Sequence, residues 1–344
     1  MNSAVVEKTY APLASEIDSI AAALEQALKR SDLSHFYQAF RATSLPFLCE
    51  KHKADIRQLF LECFEVVHRL GGISPAVALA VENHYYVTAA IATFPAEAGT
   101  ALKRRQDSML QTIVDRRWLV ANTNSKIHGN KLGLQGTVAC REGSGYRING
   151  TASYTSLATE CDLLILMTEL TGEGSAIFAI SPVQGNAGVE LGGYLFPNAM
   201  IDSDTRQIRF RDLLLPSESL MVTGGTEVGR ELFSFEMAWH QLLIPALYLG
   251  SAARAIIEAR AFLSSTRGWD GSPLATADGM IVDIGRLAIE YQSARCIVEN
   301  AADALNDVRE LPRDAQQAKR ALYLASAAKY AGTRAAEYIV TAAR

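Results

Sequence analysis

The chain has 344 residues, 49% of them hydrophobic and 20% charged, with a formal net charge of −4 at pH 7. That length supports two or three domains with real cores, and the slight acidity excludes a charge-driven reading as a nucleic-acid or anionic-membrane binder. The first residues lack a basic stretch followed by an apolar one, and no window approaches the roughly 20 apolar residues of a membrane helix, so neither a leader nor a membrane partner is expected.

Five scattered cysteines without C-x-x-C spacing fit a reduced, cytoplasmic protein and read as buried small hydrophobes. From about residue 11 to 117 the pattern is helical. Ile17, Ile20, Ala21, Leu24 and Leu28 recur at helical spacing, as do Ile56, Leu59, Phe60, Cys63, Val66 and Val67. Gly71-Gly72 stops the second of these, and Ser74-Pro75 starts the next, with Ser74 as cap and Pro75 in the first turn. That helix, from Ala76 to about Ala92, is apolar nearly all round and should be buried, with His84 and Tyr85-Tyr86 interrupting it.

Near Trp118 the pattern changes to strands. Val138–Arg141 and Tyr146–Ile148 flank the turn signal Glu142-Gly143-Ser144-Gly145, and Asn149-Gly150 is a second hairpin signal. Leu163 to Thr168 is a continuous apolar run, expected as a strand buried on both faces. Ala176–Ile180 ends at Ser181-Pro182, Ile208–Asp212 alternates, and Leu215-Pro216 closes the region. Helices return from Glu227. Ile244–Phe262 carries Gly250-Ser251-Ala252-Ala253 for close helix contact, and Met280–Asn306 and Ala315–Arg344 are further helical patterns. No His or Cys pair has metal-ligand spacing.

The strand region carries the wording Val120-Ala121-Asn122-Thr123-Asn124, then Gly145 to Ser156, then Cys161 to Met167. This helix–sheet–helix order, with that hairpin, resembles the acyl-CoA dehydrogenase family of flavoproteins over about residues 60 to 335. The resemblance implies an α+β fold: an N-terminal helical domain (1–117), a middle antiparallel β domain (118–222) and a C-terminal helical bundle (223–344), complete or shortened. It implies FAD as cofactor and an acyl thioester or other small molecule as substrate. It also implies a homodimer or homotetramer.

On the same resemblance, Thr123 and Asn124 meet the pyrimidine side of the flavin, Gly129 and Asn130 the pyrophosphate, and Tyr154, Thr155 and Ser156 the ring near N5. Arg267, in Ser265–Pro273, stands where relatives reach the pyrophosphate of a neighbouring subunit, a pairing that suits a guanidinium. The family's carboxylate base is harder to place. Most relatives carry it beyond the position of Arg344. A smaller group sets it before an Arg in the stretch matching Glu236–Gln241, where this chain has Trp239 or His240, with Glu236 about one turn upstream. His240 is the candidate for acid–base work, since an imidazole titrates near neutrality, and His84 is a second histidine near the expected acyl pocket. Three functions remain open: an FAD-dependent acyl-CoA or acyl-carrier-protein dehydrogenase, a flavin-dependent monooxygenase of the same fold, and a non-catalytic scaffold or partner subunit.

Overall fold

The computed structural model describes residues 4–123, 136–223, 227–308 and 315–343. The N-terminal region is α1 (Ala4–Arg30), α2 (Ser34–Ala42), α3 (Leu48–Lys51), α4 (Ile56–Gly71), α5 (Pro75–Thr93) and α6 (Ala101–Arg116). Three of these start as local chemistry dictates. Asp55, Ser74 and Thr100 each accept a backbone N–H three residues on, from Gln58, Val77 and Lys103. The expected burial of α5 is realised on nearly its whole circumference.

The middle region is one sheet of β1 (Val120–Thr123), β2 (Thr137–Glu142), β3 (Gly145–Thr155), β4 (Leu163–Leu170), β5 (Gly174–Ile180), β6 (Val189–Tyr194), β7 (Arg206–Pro216) and β8 (Leu220–Thr223). The strand order is β6-β7-β3-β2-β4-β5-β8, with β1 also paired to β4. β1 lies parallel to the first half of β4, Val120 opposite Leu163, and β2 lies parallel to its second half, Val138 opposite Glu169. The sheet is therefore mixed, not purely antiparallel. Turn residues report hairpins between successive strands, whereas these parallel pairs join strands far apart in sequence, and no local signal encodes them.

β4 alternates between two cores. Leu163, Ile165 and Met167 face the helices, while Leu164, Leu166 and Leu170 face the interior shared with Ile148, Phe178 and Phe210. The uninterrupted apolar run is the result, since both faces leave water. Asn149-Gly150 is not a turn. It sits inside β3 at a register shift against β7, with Gly150 at φ 119°. A Cβ there would lie 2.3 Å from the carbonyl oxygen of Gly136, so the position needs glycine for close backbone approach. The hairpin turn is the other signal, at Gly143-Ser144.

The C-terminal region is α7 (Glu227–Ser265), α8 (Asp278–Ala301), α9 (Asp303–Asp307) and α10 (Ala315–Ala342). α7 continues past an internal Pro245 and packs against α4, α5 and α10, so the two helical regions share one core. Within it, Ser234–Ser265 is long and apolar enough to cross a membrane by length and composition, contrary to the sequence expectation, and half of its most apolar window is buried. Contact with three helices leaves few of its faces for polar residues.

The small residues read from the sequence make the closest contact. A Cβ on Gly250 would lie 2.0 Å from the His68 carbonyl oxygen, and one on Gly71 would lie 2.4 Å from that of Leu247. Ser251 Oγ donates to the Gly71 carbonyl at 2.9 Å, tying the two backbones together. Gly250→Ala should therefore force α4 and α7 apart and cost about 1–3 kcal/mol, the usual scale of overpacking. Urea unfolding measures this directly. An unchanged midpoint would show that the contact yields freely.

Candidate functional site at the junction of α5, α7 and the sheet

A cavity of about 200 Å³ opens where the two helical regions meet the sheet. α5 contributes Leu79, Glu82, Asn83 and Tyr86, which its 3.6-residue period places on one face. α7 contributes Met237 and His240. Asn122 on β1, Ser156 just after β3 and Thr205 just before β7 form the sheet wall. Tyr154 and Phe196 stand at the rim, 48% and 39% exposed, with ring centroids 6.1 Å apart. No Lys or Arg lines the cavity among the described residues.

The acid–base groups are paired. His240 Nδ1 lies 3.0 Å from Glu82 Oε1, and the His240 ring rests 4.9 Å from that of Tyr86. Glu82 is fully buried, and its Oε2 has no hydrogen-bond partner among the described residues. Burial pushes the Glu82 carboxyl above its usual range, against the opposing pull of His240. A second carboxylate, Glu236, is buried one helical turn before His240 and accepts from the Asn122 amide. Asn122 Oδ1 in turn accepts from the Tyr86 hydroxyl at 2.6 Å and from Asn83 Nδ2 at 3.4 Å, and the Asn122 N–H donates to Asn83 Oδ1 at 3.2 Å.

The sheet wall has a directed hydroxyl chain. Ser203 Oγ donates to the Met200 carbonyl at 2.7 Å, so it accepts from Thr205 Oγ1, also at 2.7 Å. A hydroxyl has one proton. Thr205 therefore accepts from Ser156 Oγ at 2.9 Å. In this arrangement the oxygen of Ser156 is left with lone pairs rather than a free proton.

The predicted residues fall into four groups. His240, Tyr154 and Ser156 come together on the cavity. Thr123 and Thr155 are buried beside it. Thr123 Oγ1 donates to the Ser153 carbonyl at 3.3 Å, and the Thr155 hydroxyl has no partner among the described residues. Asn124, Gly129 and Asn130 lie outside the described residues. Arg267 is exposed beyond the far end of α7, roughly 37 Å along the helix from His240 at about 1.5 Å per residue, so the two do not share one site within this chain. Trp239, the alternative at the base position, is core: fully buried, with Nε1 donating to Thr93 Oγ1 at 3.1 Å.

Sequence reasoning missed Glu82, Asn83 and Asn122. A carboxylate in the middle of a helix otherwise apolar all round was the available signal for Glu82. Asn122 stands inside the Val120-Ala121-Asn122-Thr123-Asn124 stretch already singled out, one residue before Thr123.

Residues 229–344 match the family model described as the acyl-CoA dehydrogenase C-terminal domain. The C-terminal region is similar to the C-terminal domain of the acyl-CoA dehydrogenases. A curated relative, the short-chain specific acyl-CoA dehydrogenase of Clostridium acetobutylicum, is 27% identical over 216 residues, covering 61% of this chain and 54% of the relative. The chain spans about half the length of the curated relatives it matches. Among solved structures, FMN-bound TdsC from Paenibacillus sp. A11-2 matches with a TM-score of 0.80 at 18% identity, over 94% of this chain and 84% of that one. Butyryl-CoA dehydrogenase from Megasphaera elsdenii matches at 0.78 and 16%, over all of this chain and 88% of that one. The expected acyl-CoA dehydrogenase fold is borne out, with neighbours that include both dehydrogenases and monooxygenases.

His84 has a structural role. Its Nδ1 accepts the Val120 N–H at 3.0 Å and its Nε2–H donates to the Pro46 carbonyl at 2.7 Å, which fixes the neutral tautomer. Burial lowers its pKa from 6.5 to about 4. A depressed histidine pKa gives stability that is full above the unfolded value and is lost as pH falls toward the folded one. Stability should therefore drop between pH 6.5 and about 4, by on the order of 3 kcal/mol from His84. His68, lowered to about 4 by burial and by Arg295 and Arg69, adds a similar loss. His84→Gln keeps one donor and one acceptor but cannot titrate. Denaturation midpoints across that window should fall less steeply for the variant, and identical slopes would refute the assignment.

Proposed function

We propose that this protein is a flavin-dependent oxidoreductase of the acyl-CoA dehydrogenase fold, and that its chemistry is that of a monooxygenase. The fold and the FMN-bound neighbour support a flavin, FMN or FAD. A bound flavin would supply electron transfer and, once reduced, reaction with oxygen. Tyr154, Ser156 and Thr205, with Thr123 and Thr155 behind them, are the residues that would hold its ring. The hydroxyl chain fits that role, because Ser156 keeps an acceptor for the N–H of a reduced flavin.

The observation that carries the choice of chemistry is the pairing of Glu82 with His240. α,β-Dehydrogenation requires a carboxylate committed to one substrate proton. Here the buried carboxyl group instead hydrogen-bonds an imidazole, in a cavity walled by Asn, Ser, Thr and Tyr. Such a pair holds or moves a proton at His240 Nε2, the ring nitrogen left after Nδ1 engages Glu82. The Tyr86 and Asn122 network holds the wall in place around it.

A dehydrogenase is the second reading. It is favoured by the curated relative and by Glu82 itself, whose raised pKa suits a base.

Titration with FMN and FAD, followed by flavin fluorescence, tests the cofactor. Ser156→Ala should weaken binding of reduced flavin about three- to tenfold, the scale of one hydrogen bond, and oxidised flavin less. Anaerobic butyryl-CoA separates the two chemistries. Flavin colour should persist with the thioester and disappear only with an external reductant. Bleaching by the thioester alone would establish the dehydrogenase.

A further inference from the structure

The hydroxyl chain of the sheet wall is anchored outside the cavity. Ser156 and Thr205 line the cavity, whereas Ser203 does not and is fully buried. Ser203 Oγ donates to the Met200 carbonyl at 2.7 Å, and the same carbonyl accepts the Ser203 N–H at 3.0 Å. One bond behind the wall therefore sets the direction of every proton in the chain.

The backbone around that chain is strained. Seven non-glycine residues have positive φ among the described residues, and four of them frame the three hydroxyls. Tyr154 and Leu157, both at 62°, bracket Thr155-Ser156. Met200 at 58° and Asp204 at 48° bracket the short helical turn Ile201–Ser203. Left-handed backbone is unfavourable for side chains other than glycine and persists only where its surroundings enforce it. Here the end of β3 enforces it. The Leu157 N–H donates to the Ser203 carbonyl at 3.0 Å and the Ala158 N–H to the Asp204 carbonyl at 3.2 Å, while the Thr159 N–H donates to the Asp204 carboxylate. These bonds hold Ser203 against Met200 on one side and close to Thr205 on the other.

A hydroxyl has one proton and can turn it either way. With the chain as anchored, Ser156 donates to Thr205, Thr205 to Ser203 and Ser203 to Met200, so Ser156 offers the cavity lone pairs. With all three hydroxyls reversed, Ser156 would turn its proton to the cavity and the Met200 carbonyl would lose one of its two donors. The anchored direction keeps one more bond within the protein and is the favoured one.

We infer that Ser203 is a positioning residue that holds Ser156 as an acceptor and thereby makes the cavity favour reduced over oxidised flavin. This deepens the oxidoreductase reading and rests on it for the flavin. A flavin ring nitrogen that is a bare acceptor in the oxidised state bears an N–H in the reduced state. The anchored chain matches the N–H. The bare nitrogen gains a bond from Ser156 only when the whole chain reverses.

Ser203→Ala removes the anchor without altering the cavity wall. Thr205 then donates to Ser156, and the Ser156 proton is free to face the cavity. The Met200 carbonyl keeps the backbone N–H of residue 203, so the turn should survive. The full-length protein is loaded with whichever of FMN and FAD it takes up, and the midpoint potential is measured by spectroelectrochemical titration. The preference for reduced over oxidised flavin should fall about three- to tenfold in Ser203→Ala, the scale of one hydrogen bond. That lowers the midpoint potential by about 15–30 mV, at roughly 30 mV per tenfold for two electrons. In a Ser156→Ala background the same substitution should shift nothing, because Ser203 acts only through Ser156. Thr205→Val breaks the chain in the middle; it should reproduce the shift, and it carries the test if Ser203→Ala does not fold. An unchanged potential, or an equal shift with and without the Ser156 hydroxyl, would overturn the inference and leave the oxidoreductase reading standing. A protein that takes up neither flavin would sink both.

Discussion

The junction depends on α5, a helix buried on nearly every side that carries three polar side chains in succession. Glu82, Asn83 and His84 point to three different places: His240 on α7, Asn122 on β1, and the backbone of Pro46 and Val120. Each would cost about 1–3 kcal/mol if buried without its partner, and a charge would cost more. Their partners come from both the sheet and the C-terminal helices. Satisfying all three therefore sets where β1 and α7 lie along α5, and the cavity is the space that this arrangement leaves.

The two sides of the cavity are built on different physics. The helix side holds acid–base groups away from water, where burial raises Glu82 and the neighbouring imidazole opposes that shift. The sheet side holds hydroxyls in a chain whose direction is forced by the Met200 carbonyl at its end. A helix–sheet–helix order brings the two sides face to face because α7 returns to α5 after the sheet has been inserted between them.

Much of the fold was legible from local patterns. The cap at Ser74, the stop at Gly71-Gly72, the two-sided burial of β4 and the small residues at Gly250 each follow from chemistry within a few residues. The hairpin signal at Asn149-Gly150 misled for a physical reason. A glycine with positive φ serves a tight turn and a bulge equally well, and only the approach of Gly136, just ahead of β2, distinguishes them. The parallel pairing of β1 and β2 with β4 was invisible in the same sense, since it joins residues far apart in the chain.

By itself the sequence determined the order of helical and strand regions, the burial of α5, and a resemblance that brought Tyr154, Ser156 and His240 into consideration. Periodicity and turn chemistry act over short distances, so they suffice for that much. Tertiary structure alone decided that Glu82 meets His240, that Asn122 rather than Trp239 belongs to the site, that His84 is a strut, and that Arg267 lies far from this cavity. Those outcomes depend on which groups from distant segments are left facing each other once the apolar surfaces have closed, and pairing across such distances is set by the packing of whole elements.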